Sequence, residues 1–381
     1  MRRLLLCGLV VTLCWAQHRP APPPPPPPPS ALTGSLNLAA GSRLKVISGG
    51  AVTIRGKDGA EGQYWLRQSP PDPDEPPVAR RTSVRVYVRS GWTVLDVSRA
   101  TEDDSDSSLN LVVPKSMERV VLVTRDGAAE AYDIAGSVAL ETSSGRVQLD
   151  RIGGNAVAKT GGGLIRVGSV GGTLRCMSGG GTIQVDRAGG ETWCESAGGE
   201  ILIAEAGGPV HAVTAGNIQI GHAASSVNAR SAGGLIDIGA AGGGVIAQTG
   251  GGSIGVGRSK GVVCESAVGT IRVKGVGGPL RAYTAMGSIL AEIQPGVHLE
   301  DSSLNATRGD VTVFLPSNLS VSVQAFNEIS GGRGRIVSDF PEIRVRRNPE
   351  RGPVAAEGAL NGGGPVLRIS AAGNIYLRRQ K

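Results

Sequence analysis

The dominant feature of the sequence is a hydrophobic pattern that repeats every 18 residues, occasionally every 17, from Ala135 to Ile293. It occurs nine times, and one unit has the form Gly-Gly-x-φ-x-small-x-Thr-x-x-Gly-x-Ile-x-Val, where φ is aliphatic. Aliphatic positions 13 and 15 flank position 14, and positions 4 and 6 flank position 5. Such alternation predicts short β-strands with one buried face. Each unit should therefore supply two strands, joined by Gly-containing corners that need positive φ or close backbone approach.

Four columns define the repeat when Ala135 is taken as position 1. Position 13 holds Val147, Ile165, Ile183, Ile201, Ile218, Ile236, Ile254, Ile271 and Ile289. Position 15 holds Leu149, Val167, Val185, Ile203, Ile220, Ile238, Val256, Val273 and Ala291. Position 11 is always Gly, at Gly145, Gly163, Gly181, Gly199, Gly216, Gly234, Gly252, Gly269 and Gly287. Position 8 always carries a hydroxyl, at Thr142, Thr160, Ser178, Ser196, Thr214, Ser231, Thr249, Ser266 and Thr284.

These columns predict a stacked architecture, because half a unit cannot bury its own apolar side. Successive turns stacked at the ~4.8 Å strand spacing bury a continuous column instead. We therefore expect an all-β fold, a single-chain parallel β-solenoid (a β-helix, expected to be right-handed) with turns of 17–18 residues and irregular β caps. An antiparallel sandwich would need hairpin signals at varied spacing, which the repeat lacks.

The chain before the repeat is strand-like but irregular. Residues 32–134 are expected to form an N-terminal β region with two polar insertions. These insertions are Gln68–Arg81, which is rich in Pro and charge, and the acidic segment Thr101–Ser108. Both are expected to project from early turns as loops or to form a separate cap.

The repeat itself, residues 135–293, is expected to form nine solenoid turns, and residues 294–381 to form further turns with an aromatic cap. All three phenylalanines, Phe314, Phe326 and Phe340, lie in this last region. A solenoid needs such an end to cover its core and to stop end-to-end growth. Residues 361–377 look like one last turn.

The N-terminus has the features of a secretory signal over residues 1–16. A positive start precedes the apolar run Leu4–Leu13, and small residues at Cys14 and Ala16 favour cleavage before Gln17. A lipoprotein signal is the alternative, although Leu precedes both candidate cysteines where a small residue is wanted. No later stretch approaches 18 apolar residues, so no membrane span is expected. The predicted location is extracytoplasmic: secreted, periplasmic or on the cell surface.

A Pro-rich linker, residues 17–31, is expected to follow the signal. Its run Pro22–Pro29 is typical of a stiff polyproline II rod, roughly 25 Å long at ~3.1 Å per residue. The rod either lifts the folded part from a surface or is a linker without a selected length.

Composition agrees with thin strands and tight turns. The chain has 59 Gly in 381 residues but only 4 Trp, 5 Tyr and 3 Phe. Collagen is excluded because Gly does not recur at every third residue, and wholesale disorder is excluded because β-branched residues are regularly placed. The formal net charge of +7 permits weak attraction to an anionic envelope polymer or polysaccharide. Nucleic acid is disfavoured, since basic residues form no single block and aromatics are few.

Residues with catalytic or ligand-binding chemistry are sparse. The four histidines, His18, His211, His222 and His298, show no metal-ligand spacing on one strand. The Asp of calcium-binding β-rolls is missing from the repeat, and the Gly-rich strings lack the Lys and Ser/Thr of phosphate loops. We therefore expect no catalytic residue, metal or cofactor.

One outward cluster is a candidate ligand surface. Outward position 5 places Arg175, Trp193 and His211 on three consecutive turns, where they could bind a sugar or an anion. A chance surface grouping is the alternative interpretation.

The cysteines of the repeat, Cys176, Cys194 and Cys264, occupy position 6, where the other turns carry small or aliphatic residues. We expect them to be buried free thiols. Cys176 and Cys194 lie on neighbouring turns, within reach of a disulfide, but directly stacked parallel positions have awkward geometry.

At this point the chain resembles a known family, the putative-adhesin β-strand-repeat domain of exported bacterial proteins, a domain of unknown function. The shared features are the Thr-x-x-Gly-x-Ile-x-Val turns, the Gly-Asp-Val-x-Val-x-Leu-Pro stretch at Gly309–Pro316 and the turn Asn361–Pro365. The resemblance implies a β-repeat fold and supplies no catalytic residues. The Pro tract and the insertion Gln68–Arg81 depart from the family pattern.

The sequence therefore favours an exported, non-enzymatic structural or adhesive surface module, with weak binding of envelope polymers or glycans. One alternative is a β-helix polysaccharide-active enzyme, although turns this short leave little room for the long loops and clustered charges such enzymes use. Another is a self-assembling envelope scaffold whose rods join end to end.

Overall fold

A computed structural model describes residues 31–67, 82–99, 107–327, 334–346 and 354–380. These residues form 35 β-strands and no helix, so the all-β prediction is confirmed. In the described part of the chain no helix has the length and apolar character needed to cross a membrane. The predicted signal segment, nearly all of the Pro-rich linker, the insertion Gln68–Arg81 and most of Thr101–Ser108 lie outside the described residues.

The strands are numbered in chain order. The N-terminal ones are β1 (Ala31–Leu36), β2 (Arg43–Ser48), β3 (Ala51–Lys57), β4 (Gly62–Arg67), β5 (Thr82–Arg89), β6 (Trp92–Arg99), β7 (Ser108–Pro114), β8 (Arg119–Thr124) and β9 (Ala129–Ile134). The repeat forms β10 (Ser137–Thr142), β11 (Val147–Ile152), β12 (Ala156–Thr160), β13 (Ile165–Val170), β14 (Leu174–Ser178), β15 (Ile183–Ala188), β16 (Thr192–Ser196), β17 (Ile201–Ala206), β18 (Val210–Thr214), β19 (Ile218–Ala223), β20 (Val227–Ser231), β21 (Ile236–Ala241), β22 (Gly244–Thr249), β23 (Ile254–Arg258), β24 (Gly261–Ser266), β25 (Ile271–Val276), β26 (Leu280–Thr284) and β27 (Ile289–Ile293). The C-terminal strands are β28 (Ser302–Ala306), β29 (Val311–Leu315), β30 (Val321–Asn327), β31 (Ile336–Ser338), β32 (Arg344–Arg346), β33 (Val354–Leu360), β34 (Val366–Ala371) and β35 (Ile375–Arg379).

The strands form two mostly parallel sheets, with the core between them. Sheet A has 17 strands and contains the odd-numbered strands β11 to β29, whereas sheet B has 18 and contains the even-numbered strands β10 to β28. Each repeat strand pairs in parallel with the equivalent strand one turn away. Val147, for example, lies opposite Ile165, 18 residues on. This register is that of a parallel β-solenoid, as predicted from the repeat.

The core consists of the predicted inward columns. Ile218 and Ile236 in β19 and β21 are buried, whereas their neighbours Gln219 and Asp237 are exposed. Position 6 of sheet B is narrow, and Cys176, Cys194 and Cys264 are fully buried there. All three thiols are free. Cys176 and Cys194 lie directly opposite each other on β14 and β16.

The hydroxyl and Gly columns form a continuous hydrogen-bonded ladder at one corner. In a typical turn the Thr160 hydroxyl donates to the carbonyl oxygen of Gly145 on the preceding turn, at 2.8 Å, and accepts from the amide of Gly163 at 3.0 Å. The same donation to the preceding turn recurs from Thr142 to Thr284. These hydroxyls are buried, so the ladder satisfies corner backbone groups that would otherwise lack partners.

Glycine is required at position 11 by close approach rather than by positive φ. The backbone of Gly216 is not left-handed, but a Cβ there would lie 2.8 Å from the carbonyl oxygens of Gly198 and Gly199. The neighbouring position 10 differs, because a Cβ at Gly233 meets no atom within 4 Å. Of the two reasons that the sequence allowed for these glycines, the structure selects the second.

Both ends of the stack depart from chain order. Near the N-terminus the first full turn, β2 and β3, lies between the β6/β7 turn and the β8/β9 turn. Near the C-terminus the final turn, β34 and β35, is inserted between β28/β29 and β30/β31. Residues 361–377 thus contain β34 and most of β35, the last two strands in chain order, but these strands are not the last layer of the stack.

Antiparallel strands lie at the outside of each end. They are β4, which pairs with β7 and β1, and β5, which pairs with β6, at one end, and β33, which pairs with β30 and β32, at the other. Of the three phenylalanines, Phe340 is buried in the core cluster, Phe314 is partly exposed and Phe326 is exposed.

Candidate functional site

The candidate residues lie on the outer face of sheet B, where positions 5 and 7 of each turn point away from the core. Arg175 on β14 lies opposite Trp193 on β16, and Trp193 lies opposite His211 on β18. The 18-residue step thus places three side chains, far apart in sequence, on adjacent strands about 4.8 Å apart. We call these three residues the outer stack.

The outer stack is ordered by ring contacts. The Trp193 and His211 rings are stacked, with centroids 4.9 Å apart and planes inclined by 28°. The Arg175 guanidinium carbon lies 5.4 Å from the centre of the Trp193 ring, within cation–π range. Both faces of the indole are therefore covered by neighbouring side chains. A ligand can reach its edge, but the ring is not an open stacking platform.

Two carboxylates hold the stack in place. The Trp193 indole N–H donates to Glu195 Oε1 at 2.8 Å, and His211 Nε2 lies 3.6 Å from Glu191 Oε1. Trp193 and His211 are half-buried, whereas Arg175 is exposed. The two negative charges offset Arg175, so this surface does not concentrate positive charge.

A groove of about 820 Å³ borders the stack on one side. It follows the position-7 column over the turns from β8 to β18 and continues onto the corner at positions 8 and 9. Its outward side chains are Glu141, Lys159, Met177, Glu195 and Val213. Glu195 connects this groove to the stack, because it accepts the Trp193 hydrogen bond.

A second groove, of about 550 Å³, begins at His211. It continues the position-5 column along Asn228, Ile246, Val263 and Arg281. The corner beside this column carries no side chain at Gly244 and Gly261, which opens the groove floor. Glu300 and Asp301, from the segment before β28, form one wall.

The sequence predicted the outer stack but not the grooves. The missed residues are Asn228, Ile246, Val263 and Arg281, together with Glu300 and Asp301. A signal was present, because Gly244 and Gly261 replace larger residues at position 3 in the two consecutive turns whose outward position 5 is Ile246 or Val263. The wall could not have been anticipated, since Glu300 and Asp301 lie beyond the end of the repeat.

Other titratable residues are dispersed or buried. His222 lies on sheet A and His298 between β27 and β28, both away from His211. Among the described residues, no three His, Cys, Asp or Glu side chains are grouped to hold a metal ion. A hydrogen bond with Cys194, followed by burial, raises the pKa of Cys176, and burial raises the pKa of Cys264 to about 12. Such thiols are poor nucleophiles.

Comparison with known proteins finds six similar chains of solved structure, and two of them are the following. One is described as a putative cell adhesion protein from Clostridium sporogenes (8% identity, TM-score 0.22), and the alignment covers 92% of this chain and 100% of the other. The second is described as a putative adhesin from Bacteroides fragilis (11% identity, TM-score 0.22, covering 92% and 97%). Both descriptions agree with the resemblance found in the sequence. No family model and no curated protein matches the chain.

Proposed function

We propose that this protein is an exported, non-catalytic surface module that binds a polysaccharide along the outer face of sheet B. The observation that carries the proposal is one continuous column of outward side chains. It begins with the outer stack at Arg175 and ends at Arg281. It crosses seven neighbouring strands of sheet B, about 29 Å at the usual strand spacing. A groove borders each half of this column.

A regular column suits a partner that is itself extended. Polar groups at His211, Asn228 and Arg281 can hydrogen-bond sugar hydroxyls, while Ile246 and Val263 offer an apolar strip for the C–H face of a sugar ring. The mixture of a few polar groups on an apolar floor is typical of specific binding sites.

The charge balance favours a neutral polysaccharide over a polyanion. Two arginines in the column, Arg175 and Arg281, are accompanied by four acidic residues, Glu191, Glu195, Glu300 and Asp301. A polyanion lying along this face would meet those carboxylates. The overall charge of +7 is therefore a poor guide to the partner of this particular surface.

A non-catalytic role is supported by how the carboxylates are used. Glu195 orients the Trp193 indole, and Glu191 lies beside His211. General acid–base hydrolysis of a glycoside needs two carboxyl groups facing one bond. Export is inferred from the signal-like segment, residues 1–16.

The proposal is tested by screening the purified protein on a glycan array and measuring the best neutral polysaccharide by calorimetry. Trp193→Ala and Arg281→Ala should each weaken binding by about tenfold or more, since Trp193 orders the outer stack and Arg281 supplies hydrogen-bond donors to the second groove. Arg166→Ala is the matched control for Arg281→Ala, because Arg166 is exposed on the outer face of sheet A and should leave affinity unchanged. Absence of glycan binding, or equal loss in the control, would contradict the proposal.

A further inference from the structure

The N-terminal end of the core leaves more apolar surface exposed than the C-terminal end. At the C-terminal end Phe340 and Ile343 are buried against the core, and Val345 in β32 is exposed. At the N-terminal end the described residues leave apolar side chains on the inner face of the outermost strands exposed. Val88 in β5 is 75% exposed, and Val86 in β5 and Leu32 in β1 are also exposed.

These exposed residues continue the core columns. Val86 lies opposite Leu95, and Leu32 lies opposite Leu66, both of which are fully buried. Residues directly opposite each other in a sheet share a face. Val86, Val88 and Leu32 therefore point toward the space where the next layer of the core would lie, and they are not ordinary surface residues.

The strand edges at this end are also unpaired among the described residues. β1 pairs only with β4, and β5 pairs only with β6. Each presents a row of free backbone N–H and C=O groups, which is a template for pairing with another strand. An unpaired edge next to an exposed apolar face is typical of a strand-pairing interface.

The end is stepped, and the step is self-complementary. Counted outward from the β8/β9 turn, sheet A has four further strands (β3, β7, β4, β1), whereas sheet B has three (β2, β6, β5). A second copy can be placed by a two-fold axis that runs parallel to the strands, midway between the two sheets. This rotation brings sheet A of the second copy into line with sheet B of the first, and sheet B of the second copy into line with sheet A of the first. The second copy's β1 then extends sheet B beside β5, and its β5 extends sheet A beside β1. Both sheets become continuous with equal strand numbers.

Strand direction and charge agree with this arrangement. β1 is antiparallel to β4, which is antiparallel to β7, so β1 and β7 have the same direction. β5 is antiparallel to β6. β6 and β7 have opposite directions, because they lie on opposite sides of one turn. β1 and β5 therefore have the same direction, which a two-fold axis along the strands preserves. The outward residues of β1 are Thr33 and Ser35, and Arg85 of β5 is already paired with Asp96 at 2.9 Å. No like charges face each other across the new pair.

We propose that the N-terminal end is a homodimer interface, in which β1 of each protomer pairs with β5 of the other. Valine and leucine side chains of both copies then complete one core that runs through two solenoids. An isologous interface of this kind closes on itself and leaves the capped C-terminal ends outside. The inference is independent of the polysaccharide proposal, because the outer face of sheet B remains accessible in the dimer.

The first test is sedimentation of the purified protein over a range of concentrations. The wild type should approach twice the monomer mass, and Val86→Lys should raise the dimer dissociation constant at least about tenfold by placing a charge in the joined core. Val268→Lys is the control, since Val268 is a similarly exposed valine at a corner in the middle of the stack. A wild type that stays monomeric, with its end covered by residues 68–81 or left open, would overturn the proposal, as would an unchanged constant for Val86→Lys.

The second test does not depend on the folding of the lysine variant. Thr33→Cys and Tyr87→Cys proteins, treated with a short bis-maleimide, should form a covalent dimer efficiently when mixed. Neither variant should do so alone. Among the described residues the native cysteines, Cys176, Cys194 and Cys264, are buried and should contribute little background. Cys7 and Cys14 lie in the predicted signal segment, and both are replaced by Ser in the two test proteins and in the parent. A dimer formed by Tyr87→Cys alone would show that β5 pairs with its own copy, which contradicts the stepped arrangement. Glycan affinity measured on Val86→Lys separates failure of this inference from failure of the proposed function.

Discussion

The middle of the solenoid and its two ends are built by different rules. Between β10 and β27 each turn packs on the turns before and after it in the chain, so chain order and stacking order coincide. At the ends the two orders differ. The β2/β3 turn lies between two turns that follow it in the chain, and the β34/β35 turn lies between two turns that precede it. A periodic sequence therefore specifies which turns are neighbours within the stack. The order of the layers at each end depends instead on a later segment of the chain returning to pair with an earlier turn.

The largest expected effect is in the middle. Ile236→Asp should destabilise the protein by at least about 4 kcal/mol, because Ile236 is fully buried and the substitution leaves an unpaired charge in an apolar column. Urea midpoints measure the change. Asp237→Ala, one residue along on the exposed face, is the control and should cost under about 0.5 kcal/mol. Similar shifts for both variants would show that the inward and outward columns are misassigned.

A buried residue close to the C-terminus should be as important for stability as one in the middle of the stack. Ile375 in β35 is fully buried, because its strand lies between β29 and β31 rather than on the outside. Ile375→Ala should therefore cost about 3 kcal/mol, as much as Ile236→Ala in the middle. Thermal or urea unfolding of the two variants gives the answer. A loss below about 1 kcal/mol at Ile375 would mean that the last turn frays like an ordinary chain end.

Two adjacent corner glycines, Gly233 and Gly234, test whether glycine is needed because the backbone is closely approached or because it must be flexible. Gly234→Ala should cost about 2 kcal/mol, because the new Cβ would lie 2.7 Å from the Asn217 amide nitrogen and closer still to the Gly216 carbonyl. Gly233→Ala should change stability by under about 0.5 kcal/mol, since its Cβ meets open space. Equal effects for the two adjacent substitutions, again from urea midpoints, would contradict a specific contact at position 11.

The smallest effect is expected in the hydroxyl ladder. Thr249→Val keeps the side-chain shape but removes the bond to the Gly234 carbonyl at 2.9 Å and the acceptor for the Gly252 amide at 3.2 Å. The cost should be about 1–2 kcal/mol, because two corner groups lose their partner. Thr270→Val, at a half-exposed position outside the ladder, is the reference for the loss of a hydroxyl alone. If calorimetry finds no difference between these variants, the hydroxyl ladder does not contribute measurably to the free energy of unfolding.

The sequence was sufficient to predict what each turn repeats. Alternation assigned Ile218 and Ile236 to the core and Gln219 and Asp237 to the surface, and the same periodicity placed Arg175, Trp193 and His211 together. Periodicity is sufficient here because each residue of the repeat lies next to the residue at the same position of the neighbouring turn.

Features that are not periodic could not be predicted. The insertion of β34/β35 depends on long-range contacts, such as Asn305 with Ser370 and Ile336 with Ile375, which leave no mark in the repeat. The covered faces of Trp193 depend on the side-chain conformations of Arg175 and His211, which alternation does not fix. The groove wall at Glu300 and Asp301 comes from an irregular segment that follows no column.

The inserted final turn also determines how the molecule responds to a pulling force. Tension applied at the C-terminus acts along β35, which is hydrogen-bonded in parallel on both sides, to β29 and β31. The strand must slide out between its neighbours, so the pulling force acts on all of its backbone hydrogen bonds at the same time. They cannot break one after another, as they would in a strand at the edge of a sheet. Extraction of this turn would also separate β30 and β31 from the rest of the stack. Under such tension the C-terminal turns are therefore expected to resist until β35 is released as a whole, because this strand cannot be peeled from an edge.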